Sequence, residues 1–180
     1  MTSHRSSATE SFDSNTSVAY TPSSTSVTTT TPTEVMEALD TPHSSVPWPG
    51  STYIIQLHDT DSVITFLDGK IVLAPPGGHG NYRWRCVETE NWLGFRDPAS
   101  GLYIGYDKVG LLRCRAKAHN EWERICIRQR PEGGYIMLMT FWEALRRVGV
   151  RTDSGRAHIG KVEEAHNCRT TWIFIKVGNI

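Results

Sequence analysis

Six arginines and one tryptophan are the residues whose type and spacing best suggest recognition chemistry. Arg113 and Arg115 flank Cys114, so in a strand they share one face, opposite the thiol. Arg128, Arg130, Arg146 and Arg147 form a second group, with Trp142 close by in sequence. Guanidinium groups beside an indole suit a protein or anion-binding patch, because both offer large, pre-organised contact area. The competing reading is a solvated outer face on a barrel with an apolar interior.

Other chemistries find no frame. Nucleophilic catalysis needs a nucleophile, a base and an orienting group, and no G-x-S-x-G elbow is present. Cys86 and Cys126 sit in strand-like runs near tryptophans, a packing environment. Glu88, Glu90, Glu163 and Glu164 read as polar turns, not as a glycosidase pair. The seven histidines are scattered, with no H-E-x-x-H and none at finger spacing from a cysteine. His58-Asp59-Thr60-Asp61 could hold a cation loosely, but Asp and Thr are ordinary turn residues. Pro75-Pro76-Gly77-Gly78-His79-Gly80 lacks the Lys-Ser or Lys-Thr of a phosphate loop. The expectation is a non-catalytic protein with no cofactor and no metal.

The chain falls into two parts of different composition. Residues 1–50 read as a disordered tail, with 22 Ser or Thr and too few large apolar side chains to offset the entropy of ordering. Its Thr-Pro pairs at 21, 31 and 41 and its Asn15-Thr16-Ser17 triplet are what such a composition yields by itself. Pro47-Trp48-Pro49-Gly50 closes the tail, with Trp48 read equally well as a lid or as an exposed linker residue.

The 19 basic and 19 acidic residues cancel over the chain, but not along it. The tail carries Arg5 against five acids, and residues 51–180 carry 18 basic against 14 acidic residues. That excess is too small to argue for nucleic acid, and no apolar run is long enough for a membrane span. The N-terminus has no apolar leader segment, so a cytoplasmic location is expected, with Cys86, Cys114, Cys126 and Cys168 as reduced, apolar core residues.

From Ser51 onward, aromatic and β-branched runs alternate with Gly, Asp, Asn and Pro about every ten residues. This predicts a compact all-β domain over 51–180. The one helical spacing, Phe141, Leu145 and Val148, is better read as a hairpin when set against the repeats. Three units align on Tyr53, Trp92 and Tyr135. Ten residues on lie Val63, Leu102 and Leu145, followed by turn glycines at 69, 110 and 155. Each unit closes on a tryptophan expected to head a strand: Trp84, Trp122 and Trp172, at offsets of 31, 30 and 37. Four strands in each of three units give twelve short strands around a pseudo-threefold axis, which is a β-trefoil. Both faces of the closing strands are apolar, so their sequence does not fix the inward face.

Trp92-Leu-Gly-Phe, Gly101-Leu-Tyr-Ile-Gly, Gly110-Leu-Leu-Arg-Cys, Trp122-Glu-Arg-Ile and Gly133-Gly-Tyr-Ile-Met-Leu resemble the fascin-like, actin-cross-linking trefoils, most of all small fungal members with one trefoil after a low-complexity tail. The resemblance implies a protein partner, with actin as the candidate, although no actin-contact residue maps onto this chain. The alternative is a glycan. Ricin-type trefoil lectins carry Gln-x-Trp near the end of each repeat. The triplets here are Tyr82-Arg-Trp84, Asn120-Glu-Trp122 and Thr170-Thr-Trp172, with the tryptophan three times and the glutamine never. Other trefoil lectins bind sugars through exposed aromatics with Asp or Asn in varied loops.

Overall fold

The computed structural model describes residues 44–153, 155–163 and 169–178. Most of the tail, with its Thr-Pro pairs, and Cys168 and Glu164 lie outside the described residues. Strands β1 to β4 are Thr52–Leu57, Val63–Leu67, Lys70–Ala74 and Arg83–Thr89; β5 to β8 are Trp92–Arg96, Tyr103–Tyr106, Leu112–Ala116 and Ile125–Gln129; β9 to β12 are Tyr135–Phe141, Ala144–Asp153, Arg156–Val162 and Trp172–Val177. The only helical turn among the described residues is a 3₁₀ turn, Glu121–Glu123, and no helix is long and apolar enough to cross a membrane.

Pairing closes a ring. β1 pairs with β4, β4 with β5, β5 with β8, β8 with β9, β9 with β12, and β12 with β1, all antiparallel. The remaining strands form hairpins β2–β3, β6–β7 and β10–β11. These hairpins touch one another and cap one end of the six-stranded barrel. Full closure leaves the barrel strands no free edge, so three units that could not bury an apolar face singly do so together.

Register fixes which positions are equivalent. Tyr53 lies opposite Trp84, Leu93 opposite Ile125, and Tyr135 opposite Trp172. One layer deeper, Cys86 faces Phe95, Ile127 faces Met137, and Phe174 faces Ile55. The hairpins contribute Ile64, Ile104 and Val148, and then Ile71, Leu112 and Ile159, all buried. Phe95 and Phe174 stack with ring centroids 5.7 Å apart, and Tyr135 meets Phe174 edge-on at 5.6 Å. The inward face of the closing strands is therefore Trp84 with Cys86 and Trp172 with Phe174; Ile173, Ile175 and Val177 are only half-buried. Both buried indoles are satisfied: Trp84 Nε1 donates to Ile64 O (2.9 Å) and Trp172 Nε1 to Val148 O (3.0 Å).

Two repeat landmarks need correction. Leu93, not Trp92, holds the position of Tyr53 and Tyr135. A strand turns each neighbour to the other face, so Trp92 is carried to the outside. Trp122 does not head a strand. It lies in the 3₁₀ turn, three residues before Ile125, which takes the place of Trp84 and Trp172. The segment Phe141 to Val148 is a hairpin as expected, with Phe141 paired to Ala144 across a two-residue turn.

Residues 44–50, read as the end of the tail, run along the barrel. Ser45 N donates to Phe174 O (2.9 Å) and Gly50 N to Cys86 O (2.9 Å). Trp48 is no lid: Tyr53 Oη donates to Val46 O (3.4 Å) and accepts from Trp48 N (2.8 Å), while the indole is 72% exposed. Cys86, Cys114 and Cys126 are free thiols, and burial pushes Cys86 and Cys114 each up to about 12, so both are inert core groups.

Candidate functional site

The arginine set does not form one patch. Arg113 pairs with Asp107 (3.0 Å) and shares a small hollow with Arg115 and Glu123. Arg146 and Arg147 line a different hollow with Lys161 and Glu163. Arg130 and Trp142 line two more, and Arg128 stands exposed near the end of β8. What the structure assembles instead follows from the threefold register.

Where one repeat's closing strand meets the end of the next repeat's first strand, a cleft can form. At the junction of the second and third repeats, Thr140 N donates to Arg124 O (3.2 Å). At the junction of the third and first, the equivalent His58 N donates to Thr171 O (2.9 Å). The third junction differs. Its equivalent donor position is Pro98, which has no N–H, and its acceptor, Arg83 O, is bound by Asn81 Nδ2 (2.8 Å). Asn81 Nδ2 also donates to Asp97 Oδ1 (2.5 Å), tying that junction shut. Asp97 is only 1% exposed and is occupied further by Ser100 N (2.9 Å) and the Ser100 hydroxyl. A turn aspartate is here a structural clasp.

The cleft between repeats two and three has a volume of about 320 Å³ and an aromatic wall. Trp92 and Trp142 line it with Glu121, Arg124, Thr140 and Glu143. Trp142 occupies the tight β9–β10 turn with φ 55° and is 66% exposed. Positive φ is uncommon for a bulky residue and costs about 1–3 kcal/mol, so the position is paid for elsewhere in the fold. Trp122 meets Trp142 near edge-on at 5.5 Å, and Phe141 does so at 6.1 Å, which fixes the exposed ring. Arg124 bonds Glu90 (2.5 Å) and lies over Trp92, 5.9 Å from the ring centre. The Thr140 hydroxyl donates to Glu121 O and anchors the 3₁₀ turn against β9.

Next to this wall sit two titratable groups, Glu123 buried and His119 half-buried. Glu123 is 6% exposed; burial raises its carboxyl above the usual range, although Asn120 N donates to it (3.0 Å). His119 stacks on Tyr103 with centroids 5.7 Å apart, its Nε2 lies 3.1 Å from Glu123 O, and burial lowers its pKa.

Comparison with family models and with curated proteins finds no match. Solved structures do match. One is a Macrolepiota procera ricin B-like lectin in complex with lactose, at TM-score 0.59 and 16% identity, covering 74% of this chain and 100% of that one. Another is ThreeFoil, a designed threefold-symmetric protein, at 0.58 and 10%, covering 70% and 99%. The fold is a β-trefoil. A third likeness is to a GlcNAcα1-4Gal-releasing endo-β-galactosidase from Clostridium perfringens, at 0.58 and 13%, where the match covers 71% of this chain but only 33% of the enzyme. These likenesses support the trefoil alone and give no support to a fascin-like kind of trefoil or to a fungal origin.

Within that trefoil, Trp142 is the one residue of the sequence-derived set that lines the aromatic cleft. Trp92, Trp122, Arg124 and Glu121 were missed as site residues because the repeat alignment took Trp92 as the opening residue of a strand and Trp122 as the head of another. Among the described residues no cluster of His, Cys, Asp and Glu is arranged to hold a metal ion.

Proposed function

We propose that this trefoil is a non-catalytic carbohydrate-binding module and that the aromatic cleft is its sugar site. The observation that carries the reading is Trp142, a large apolar ring held outward in a left-handed turn by two further aromatics. A pyranose presents an apolar C–H face and a rim of hydroxyls. Trp142 and Trp92 offer the stacking surface, while Glu121, Glu143 and Arg124 offer acceptors and donors around it. The lectin and glycosidase neighbours add to this reading through their fold. The protein partner expected from the fascin-like resemblance, actin included, has no comparable feature behind it. A reducing, cytoplasmic setting rests on the free thiols.

The test is a glycan array on the full chain, followed by titration of a hit against Trp142→Gly. Glycine tolerates the turn's positive φ, so this variant should unfold at the same temperature or higher, by about 1 kcal/mol of added stability, while glycan affinity falls at least about tenfold. An array without reproducible hits, or unchanged affinity in the variant, would remove the proposal. Pelleting with filamentous actin at low salt would put a protein partner in its place.

A further inference from the structure

The junction between repeats three and one is the symmetry mate of the aromatic cleft, yet its chemistry is inverted. Register places Gly134 where the aromatic cleft has Trp92, Arg169 where it has Trp122, and Thr171 where it has Arg124. The indoles are gone and guanidinium groups stand in the wall. The cleft is about 430 Å³, larger than its aromatic counterpart. Gly134, at φ 68°, lets the β8–β9 loop lie against the wall; a Cβ there would run into Thr171 Cγ2 and come within 3.2 Å of His58 Cδ2.

Arg130 is held in place. Its Nη1 donates to the buried Thr171 hydroxyl (2.8 Å), and its Nε lies 3.2 Å from Glu132 Oε2. Glu132 is 69% exposed, so that ion pair is screened and exchangeable. Arg169 lines the same cleft and is exposed, with no ion pair among the described residues. His58 pairs with Asp59 (2.8 Å), whose side chain is 86% exposed. The two carboxylates thus stand at the wet rim, and two guanidinium groups share the cleft between them.

We infer that this cleft is a second, independent binding site, and that it takes the oxyanion of an acidic ligand, a carboxylate or a sulfate. A planar guanidinium matches such groups with paired N–H donors, and Arg130 Nε already donates to a carboxylate, that of Glu132. The proposal does not depend on sugar binding by the aromatic cleft. It makes the trefoil bivalent, with one stacking site and one charge-reading site at equivalent junctions.

The experiment titrates the full chain with glucuronate, N-acetylneuraminate, glucose 6-sulfate and neutral glucose, at low and at physiological salt. At least one acidic probe should bind about tenfold more tightly than glucose, and raising the salt should weaken it. The carboxylate and sulfate arms identify which oxyanion the site reads. Arg169→Gln, an exposed change that leaves the Thr171 contact in place, should lose about tenfold in the affinity of the acidic probes, and Arg130→Gln at least as much, while neither variant lowers the affinity for neutral glucose. Glucose binding as tightly as the acids in the Trp142→Gly chain, where the aromatic cleft has lost its stacking ring, no acidic probe bound at about 10 mM, or acid binding unchanged in both arginine variants would each overturn the proposal.

Discussion

Trp84 and Trp172 close the first and third repeats as fully buried core residues, whereas the second repeat closes on Ile125 and sends its tryptophan, Trp122, to the edge of a cleft. The same residue type does opposite work. In repeats one and three the indole fills the barrel and its N–H is discharged into a hairpin carbonyl. In repeat two a 3₁₀ turn shifts the indole by three positions, the smaller isoleucine fills the barrel, and the freed ring props Trp142. Trp92 has slipped likewise, one residue from the core register. The second repeat therefore gives up aromatic volume in the core and gains an aromatic surface. Local departures from a repeat are where a symmetric fold has room for recognition.

The largest effect expected from this contrast is on stability. Trp172→Ala removes a fully buried side chain and leaves a cavity, and should cost about 3–5 kcal/mol, measured by urea unfolding. Trp122→Ala removes a half-buried ring from the surface and should cost about 1 kcal/mol, while weakening glycan binding through the loss of support for Trp142. Equal costs for the two would mean that the second repeat is not built differently, and the comparison would collapse.

A smaller effect should come from the junctions. Asp97→Ala removes the clasp between repeats one and two, leaving the Asn81 amide and the Ser100 N–H without their partner, and should cost about 2 kcal/mol. Thermal unfolding reads this directly. The same change at Asp59, which lies at the rim of the open polar cleft, should be close to neutral because its pair with His58 is exposed. A costly Asp59→Ala beside a harmless Asp97→Ala would reverse the assignment of closed and open junctions.

Much of the barrel was legible because turns and strands announce themselves locally. Gly69, Gly101, Gly110 and Gly155 all take positive φ, and each lies between paired strands or at a strand's approach, as their type suggests. The three hairpins and twelve strands followed from that punctuation. Register did not, because it depends on which carbonyl meets which amide across the barrel, and Trp92-Leu93 offers two apolar neighbours for one inward position. The inward face of β4 and β12 was hidden for the same reason. The clefts were less legible still. Arg130 and Arg169 lie 39 residues apart and become neighbours only when β12 pairs with β9, whereas Arg130 and Arg147, placed in one group by the sequence reading, line separate hollows.

The smallest effect, and the one confined to repeat two, is on pH dependence. His119 has a lowered pKa, first from burial and further from Arg124, so it folds best neutral. Stability from this group is present above the usual imidazole value and is lost as the pH falls through its lowered one, because the unfolded chain takes up the proton first. Glu123 works in the other direction. Burial raises its pKa, so its contribution is present below the usual carboxylate value and is lost as the pH rises through the raised one. Denaturation midpoints followed between pH 4 and 8 should therefore respond to Glu123→Gln by flattening the loss on the rising side, since the amide can still accept Asn120 N but cannot ionise. Because the Glu123 side chain leaves the turn toward the hollow beside Gly105 and Arg113 and does not line the aromatic cleft, the variant should leave glycan affinity intact. A stability profile identical to that of the parent would show that the carboxyl ionises there at no cost, and that the second repeat keeps no burial penalty beneath its displaced tryptophan.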